Sequence, residues 1–345
     1  MKKFYLTLLF SIVTATAALA QTVDIDAGGL GFLDNREYKD FVARSRTYSG
    51  TRIWLDLGLN IDSLNSFVVG ANGIHEFGAI PFFLNVDPIA YYRYYNHSYK
   101  RNWLFFAGEF PRAGLIDNYP RAILNDTLMY YRPNIQGLLL RYRTPHFTEM
   151  GWIDWLSRQT DTEREEFMWG FQGKYQPWLS GPFYIRNYYM LEHDAGPAIL
   201  TPTSQIFDDG AGELLAGLDF TKKQKTLDSI SFEAGTLFSM QRERGVNNWK
   251  VPVGAVANFY LSYARFAIFN EFYIGEGSAV SFGDAFYEKH FYNRTDFILT
   301  PFKAEGLLGQ FVFTVHKTPG FTSNQEAFRF TYELGRKKIA KIRNY

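Results

Sequence analysis

Residues 53–61 read Ile-Trp-Leu-Asp-Leu-Gly-Leu-Asn-Ile. Ile53, Leu55, Leu57, Leu59 and Ile61 share one parity, and Trp54, Asp56, Gly58 and Asn60 share the other. In a β-strand, period two sends these sets to opposite faces, so one face suits hydrocarbon and the other suits water. A half-buried strand of a soluble sandwich shows the same pattern. The reading therefore turns on how often the pattern recurs and what lies between its copies.

It recurs along the chain. Phe167, Trp169, Phe171, Gly173 and Tyr175 alternate with Met168, Gly170, Gln172 and Lys174, and Ile230, Phe232, Ala234, Thr236 and Phe238 alternate with Ser231, Glu233, Gly235 and Leu237. Phe311, Phe313 and Val315, and then Phe328, Phe330, Tyr332 and Leu334, repeat it near the end. Strands are expected over 22–32, 50–61, 66–77, 87–97, 102–110, 134–143, 149–158, 166–176, 182–192, 211–221, 229–241, 252–262, 265–275, 291–300, 305–316 and 326–335. That makes about sixteen, with roughly 14 to 18 compatible with the pattern. Connections alternate between short (62–65, 263–264, 301–304) and long (33–49, 111–133, 193–210, 276–290). Short inner turns, long outward loops and an even strand count are the signature of a transmembrane antiparallel β-barrel, and the expected fold class is all-β of that kind.

The N-terminus and the composition agree. Lys2 and Lys3 precede an apolar run from Phe4 to Val13 and a small-residue stretch ending Ala18-Leu19-Ala20, the pattern of a cleaved secretory signal peptide. Of 345 residues, 33 are Phe, 23 Tyr and 7 Trp, yet mean hydropathy is −0.21. No later stretch is apolar enough for a membrane helix. A closed sheet reconciles these facts, because it pairs every backbone N–H and C=O while needing apolar side chains at only alternate positions. Trp103, Trp152, Trp155, Trp169 and Trp178 and the tyrosine pairs 91–92, 94–95 and 188–189 lie at or near expected strand ends, as interfacial girdles would. With no cysteine there is neither a disulfide framework nor a lipid anchor through Cys. A net charge of +1 without basic blocks gives no sign of a nucleic-acid partner. The division expected is a signal peptide at 1–20, a barrel at 21–335, and a basic tail or strand end at 336–345 in the periplasm. Localisation is expected in the outer membrane of a Gram-negative cell, among lipid and lipopolysaccharide and after delivery by the barrel assembly machinery.

In segment count, loop alternation and length, the chain resembles the general porins across its whole mature length, although no family-specific motif supports the likeness. The resemblance implies a sixteen-stranded channel whose third outward loop folds into the lumen, passive diffusion of small polar solutes, and compatibility with a homo-oligomer. Here the third outward connection is 111–133, PRAGLIDNYPRAILNDTLMYYRP. Its Arg112, Asp117, Arg121, Asp126 and Arg132 are the candidate constriction residues. Charges on strands should point inward, since an unpaired charge on a lipid face costs several kcal/mol. By that argument Glu109, Arg141, Arg143, Asp154, Arg158, Arg294 and Asp296 join the pore-lining set. A lumen closed by salt-bridged side chains, or a loop that merely covers the mouth, would fit the same residues. In the former case the protein would be a surface binding or assembly partner, with loops 33–49 and 193–210 as its contact surface.

Enzymatic readings are weaker at this level. Asn96-His97-Ser98 resembles the His and Ser pair of outer-membrane phospholipase, but it falls at an expected periplasmic end. His193-Asp194 and Asp208-Asp209 resemble the His and carboxylate pairs of omptin proteases at a different spacing, and an exposed acidic loop accounts for them. The six histidines are scattered, no metal-ligand spacing stands out, and no Gly-rich phosphate loop precedes a helix. The expectation is a porin-like channel, not an enzyme, with no cofactor.

Overall fold

The computed structural model describes residues 22–116, 119–199, 205–221 and 226–341, so the expected signal peptide at 1–20 lies outside the described residues. The strands are β1 (Thr22–Glu37), β2 (Arg46–Asn60), β3 (Asn65–Glu76), β4 (Asn85–Asn96), β5 (Asn102–Pro111), β6 (Asn134–Arg143), β7 (Phe147–Ser157), β8 (Glu165–Tyr175) and β9 (Phe183–Gly196). They continue as β10 (Phe207–Asp219), β11 (Ser229–Glu243), β12 (Val253–Tyr263), β13 (Phe266–Gly275), β14 (Phe291–Ala304), β15 (Leu307–Thr318), β16 (Phe321–Glu333) and β17 (Lys337–Lys341). From β1 to β16 each strand pairs antiparallel with its neighbour in sequence, and β1 returns to β16 in the register Gly28↔Glu333 to Glu37↔Asn324. The sheet is a closed sixteen-position barrel without edges.

The seventeenth strand does not add a position. After Leu334, whose N–H donates to Ala27 O at 2.8 Å, the chain resumes as β17 and pairs with Thr22–Ile25 of the same β1. Arg336, in the break, reaches Asp24 and Asp56 on β1 and β2 at 2.6 and 2.7 Å. The basic stretch after 335 thus begins as part of the wall, because its backbone completes the inner end of β1.

Parity along each strand sorts the side chains as hydrocarbon requires. Leu55 and Leu214 are 53% and 58% exposed, and Ile53, Ile185, Phe232, Ile274, Phe297 and Phe330 share the outward side. A water-soluble protein has no means of solvating so continuous an apolar band, whereas a bilayer does. Trp103 and Tyr142 pair at the inner end of this band with ring centroids 4.5 Å apart, while Trp155, Phe167, Trp169 and Tyr189 ring its outer end. Trp152, placed with the girdle by sequence, instead points inward and donates its indole N–H to the Tyr119 hydroxyl at 2.8 Å.

The interior holds a second apolar cluster. Ile116, Tyr119, Ala122, Ile123, Leu124 and Leu128 from the connection between β5 and β6 pack against Leu139, Met150, Met168, Met190, Leu215 and Leu237 on the inner wall. The connection after β13 adds a 3-10 turn at Ala285–Glu288, whose Phe286 stacks on Tyr292 and His316.

Candidate functional site

Two places concentrate chemistry: the connection inside the barrel and a polar cluster on its outer rim.

Inside, the connection after β5 enters the lumen through Arg112, which is 4% exposed, reaches Asp154 on β7, and donates from Nε to Arg132 O at 3.0 Å. Asp154 also accepts the Gln136 N–H at 2.8 Å, so strands β6 and β7 and the entry to the loop share one carboxylate. A short helical turn, α1 (Leu128–Tyr131), follows, with Arg132 at its C-cap. The Tyr130 carbonyl accepts from Arg52 of β2, and the Tyr130 ring stacks on Phe32 of β1 at 4.3 Å. Asp126 is gripped by Arg36 of β1 at 2.8 Å and Arg329 of β16 at 2.7 Å, and faces Arg121 at 3.5 Å. Arg121 also meets Asp284 of the β13–β14 connection at 3.1 Å. The loop is therefore two-faced: its apolar side packs on the wall from β5 to β14, with Arg112 anchoring its entry on β7, while Asp126 and the Tyr130 carbonyl bind β16, β1 and β2.

The remaining sequence candidates divide. Arg294 and Asp296 face the lumen from β14 and bond each other at 2.9 Å. Arg141 and Arg143 share the inward parity of Leu139 nearer the inner end of β6, and Asp154 shares that of Met150 and Trp152. Arg158 falls just beyond β7 in an outer connection and is exposed. Glu109, expected to face inward, pairs in register with Gln136 while the next pair, Phe110↔Ile135, is fully buried. It therefore lies on the outward face near the rim, where Gln136 and Asn134 donate to it at 3.4 and 3.5 Å. Asp117 lies outside the described residues.

On the outer rim the structure replaces an expected loop with strands. His193-Asp194 and Asp208-Asp209 belong to β9 and β10, paired Asp208↔His193 and Asp209↔Glu192. β9 and β10 run well beyond their sequence-derived ends because the two polar segments hydrogen-bond each other and satisfy their own backbones. Asp208 is also opposite Arg242 of β11. By parity with Ile185, Leu214 and Phe232, the side chains of His193, Asp208 and Arg242 all point away from the lumen.

His193 Nδ1 lies 2.7 Å from Asp208 Oδ1. Asp208 accepts Arg242 Nη2 at 2.6 Å and Arg244 Nε at 3.0 Å, and is itself 3% exposed. Phe167 of β8 packs its ring 5.1 Å from the imidazole, and Arg242 lies over Trp249 at 4.4 Å. The carboxylate can only accept, so Nδ1 carries the proton of this contact, and among the described residues Nε2 has no hydrogen-bond partner. Below the dyad the outward rows are Tyr189 and Leu191 on β9, Gly210 and Gly212 on β10, and Met240 and Phe238 on β11, an apolar track leading into the membrane band. The arrangement is a carboxylate-oriented imidazole at a lipid boundary, with two guanidinium groups beside it. Period-two parity could have placed His193 and Asp208 on one face; their strand membership was the missing step. Among the described residues no cluster of His, Asp and Glu is arranged to hold a metal ion.

A family model described as lipid A 3'-O-deacylase-type matches residues 15–335. The chain belongs to this family. Membership in this deacylase-type family corrects the expectation that the protein is not an enzyme, an expectation that came from treating outward-facing polar groups as solvated loop. A search of curated proteins finds no match. Among solved structures, the loop L8 deletion mutant of OmpT, an outer-membrane protein of Vibrio cholerae, superposes with a TM-score of 0.53 at 9% identity, over 90% of this chain and 99% of that one. OmpF of Salmonella typhi in complex with daunomycin gives 0.49 at 9% identity over 92% and 99%, and OpdK of Pseudomonas aeruginosa gives 0.46 at 8% over 91% and 99%. At such identities the likeness concerns the fold, which is that of a porin-like barrel.

Proposed function

We propose that this lipid A 3'-O-deacylase-type protein is an acyl-ester hydrolase of the outer membrane, acting on lipid A-type glycolipids that reach it laterally from the outer leaflet. One observation carries the reading: the outward-facing His193–Asp208 pair, 2.7 Å apart, stands directly above the lipid-facing band. Asp208 holds the imidazole in the tautomer that leaves Nε2 free to accept a proton. A water between Nε2 and the ester carbonyl gives up that proton as its oxygen bonds to carbon. The tetrahedral intermediate then collapses, the carbon–alkoxy bond breaks, and the proton passes from His193 to the departing sugar hydroxyl, so that ester and water become acid and alcohol. Phe167 and the rows below seat the acyl chains, and the substrate never needs to enter the barrel.

The test is the mass of lipid A from cells expressing the protein. Loss of one acyl chain is expected with the intact protein, and loss of that activity by about a hundredfold or more in His193→Gln. An unchanged lipid A profile in cells carrying correctly folded wild-type protein would sink the reading.

The inward fold of the 111–133 loop favours a second, compatible activity, passage of small polar solutes past the charges of that loop and of β14. Support comes from the position of Arg121 and Asp126 against the wall. Planar bilayers should show conductance steps that enlarge when residues 114–130 are deleted. Equal conductance before and after deletion would remove the loop from that role.

A further inference from the structure

The rim carries more positive charge than its dyad uses. We infer that Arg242 and Arg244 form a cradle for a phosphate group on the headgroup of an outer-leaflet glycolipid. This rests on the reading that the rim engages a lipid A-type molecule, and it names the part of that molecule the rim holds.

Asp208 takes one edge of each guanidinium: Arg242 Nε and Nη2 at 3.0 and 2.6 Å, and Arg244 Nε and Nη2 at 3.0 and 3.1 Å. A guanidinium has five N–H donors in a planar fork, so the edge bearing Nη1 remains on each. Among the described residues neither Nη1 has a hydrogen-bond partner. On the outward side of β9 to β11 one carboxylate stands against two guanidinium groups and leaves a net single positive charge; Glu192, Asp194, Asp209 and Glu243, which border the same rim, belong to the opposite parity of these strands. The Arg242 and Arg244 side chains are 28% and 45% exposed, whereas Asp208 is 3% exposed, so the counter-charge is sunk beneath and the cations face outward.

Both cations are also held in place before any ligand arrives. Arg242 is fixed between Asp208 and the Trp249 ring at 4.4 Å, and Arg244 by two bonds to the same carboxylate. Groups already held in their bound geometry lose little freedom on binding. A carboxylate ligand matches one fork, whereas a phosphate presents three oxygens and up to two negative charges and can satisfy two forks together. The site stands above the aromatic girdle formed by Trp169 and Tyr189, the level at which headgroups sit. A phosphate held there places the sugar of the same headgroup beside His193, with its acyl chains running down the apolar track.

The experiment uses full-length protein carrying His193→Gln, so that ligand is not consumed, with and without Arg242→Gln and Arg244→Gln together. Heat-modifiable gel mobility confirms that each variant is folded. Bisphosphorylated lipid A, its dephosphorylated counterpart and inorganic phosphate are titrated in micelles, and bound lipid is read by native mass spectrometry. The double change should weaken binding of the phosphorylated lipid by about tenfold or more and leave the dephosphorylated lipid unaffected. Raising salt from ~0.1 to ~0.5 M should weaken only the phosphorylated lipid. Inorganic phosphate should compete only at far higher concentration, since it lacks the acyl contacts.

Equal affinity for the two lipids, or a double variant that binds the phosphorylated one as before or loses both alike, overturns the cradle. Unaltered lipid A in expressing cells together with phosphate-dependent binding would remove the hydrolysis and keep the cradle. Hydrolysis with an unchanged KM in Arg242→Gln/Arg244→Gln protein would do the reverse.

Discussion

Arg112 and Asp154 show what one buried charge pair decides in a barrel interior. Arg112 is 4% exposed and Asp154 2%. Removing one partner strands the other in a site with little water, a loss of about 3–5 kcal/mol, whereas replacing both by apolar residues of similar volume comes much nearer to neutral. Arg112→Ala should therefore loosen the inserted loop strongly, and Arg112→Met with Asp154→Leu should recover most of the loss. Urea midpoints of the purified barrel, with protease cleavage within 111–133 as a local readout, check both. Recovery no better than the single variant would assign the role of Asp154 to its bond with the Gln136 N–H instead. The same logic separates the two histidines singled out by sequence. His97 follows the end of β4 at an inner turn, while His193 acquires a buried carboxylate partner and a lipid-facing position. Residue type did not distinguish them; neighbours did.

Among the connecting elements, the outward one after β1 is tied down by a single carboxylate. Asp40 accepts from the Thr318 hydroxyl at 2.6 Å and the Val42 N–H at 3.2 Å, and meets Lys289 at 3.1 Å, so one side chain joins the β1–β2 and β13–β14 connections to the end of β15. Burial alone would raise its pKa, but these three partners outweigh it and hold the group below the ordinary carboxylate value. A depressed folded-state pKa stabilises above the unfolded value near ~4 and loses that contribution as pH falls through the depressed value. Asp40→Asn should accordingly melt below wild type by a constant margin from about pH 5 to 8, and the margin should shrink below ~4. Thermal melting by circular dichroism across that range decides it, and a margin that does not vary with acidity would refute the tie. The connection after β5 is the opposite kind of element, held by an apolar side as much as by ions, which is why its charge pattern alone left constriction and a mere cover of the mouth equally open.

At the scale of the whole molecule, the closed sheet makes three surfaces from one alternating sequence: a lipid band, a polar interior and a rim where the two meet. Strand existence and number were legible from period two, and the porin-like architecture followed from strand count and loop alternation. Ends were less legible, because β9 and β10 extend through residues that read as an acidic loop, and only mutual pairing makes a strand of Glu192-His193-Asp194 and Phe207-Asp208-Asp209. The strand expected over 326–335 is β16 (Phe321–Glu333), and the basic run after 335, which alternates poorly, resumes as a short strand whose backbone completes β1. The sequence by itself determined that this chain closes a membrane barrel, since alternation and backbone pairing are local properties repeated along the chain. Only the tertiary structure decided which charges meet inside, that Glu109 faces out, and that His193, Asp208 and Arg242 stand side by side on the outer rim. The rim contacts join residues 15 and 34 positions apart, and their register is fixed by the sheet as a whole.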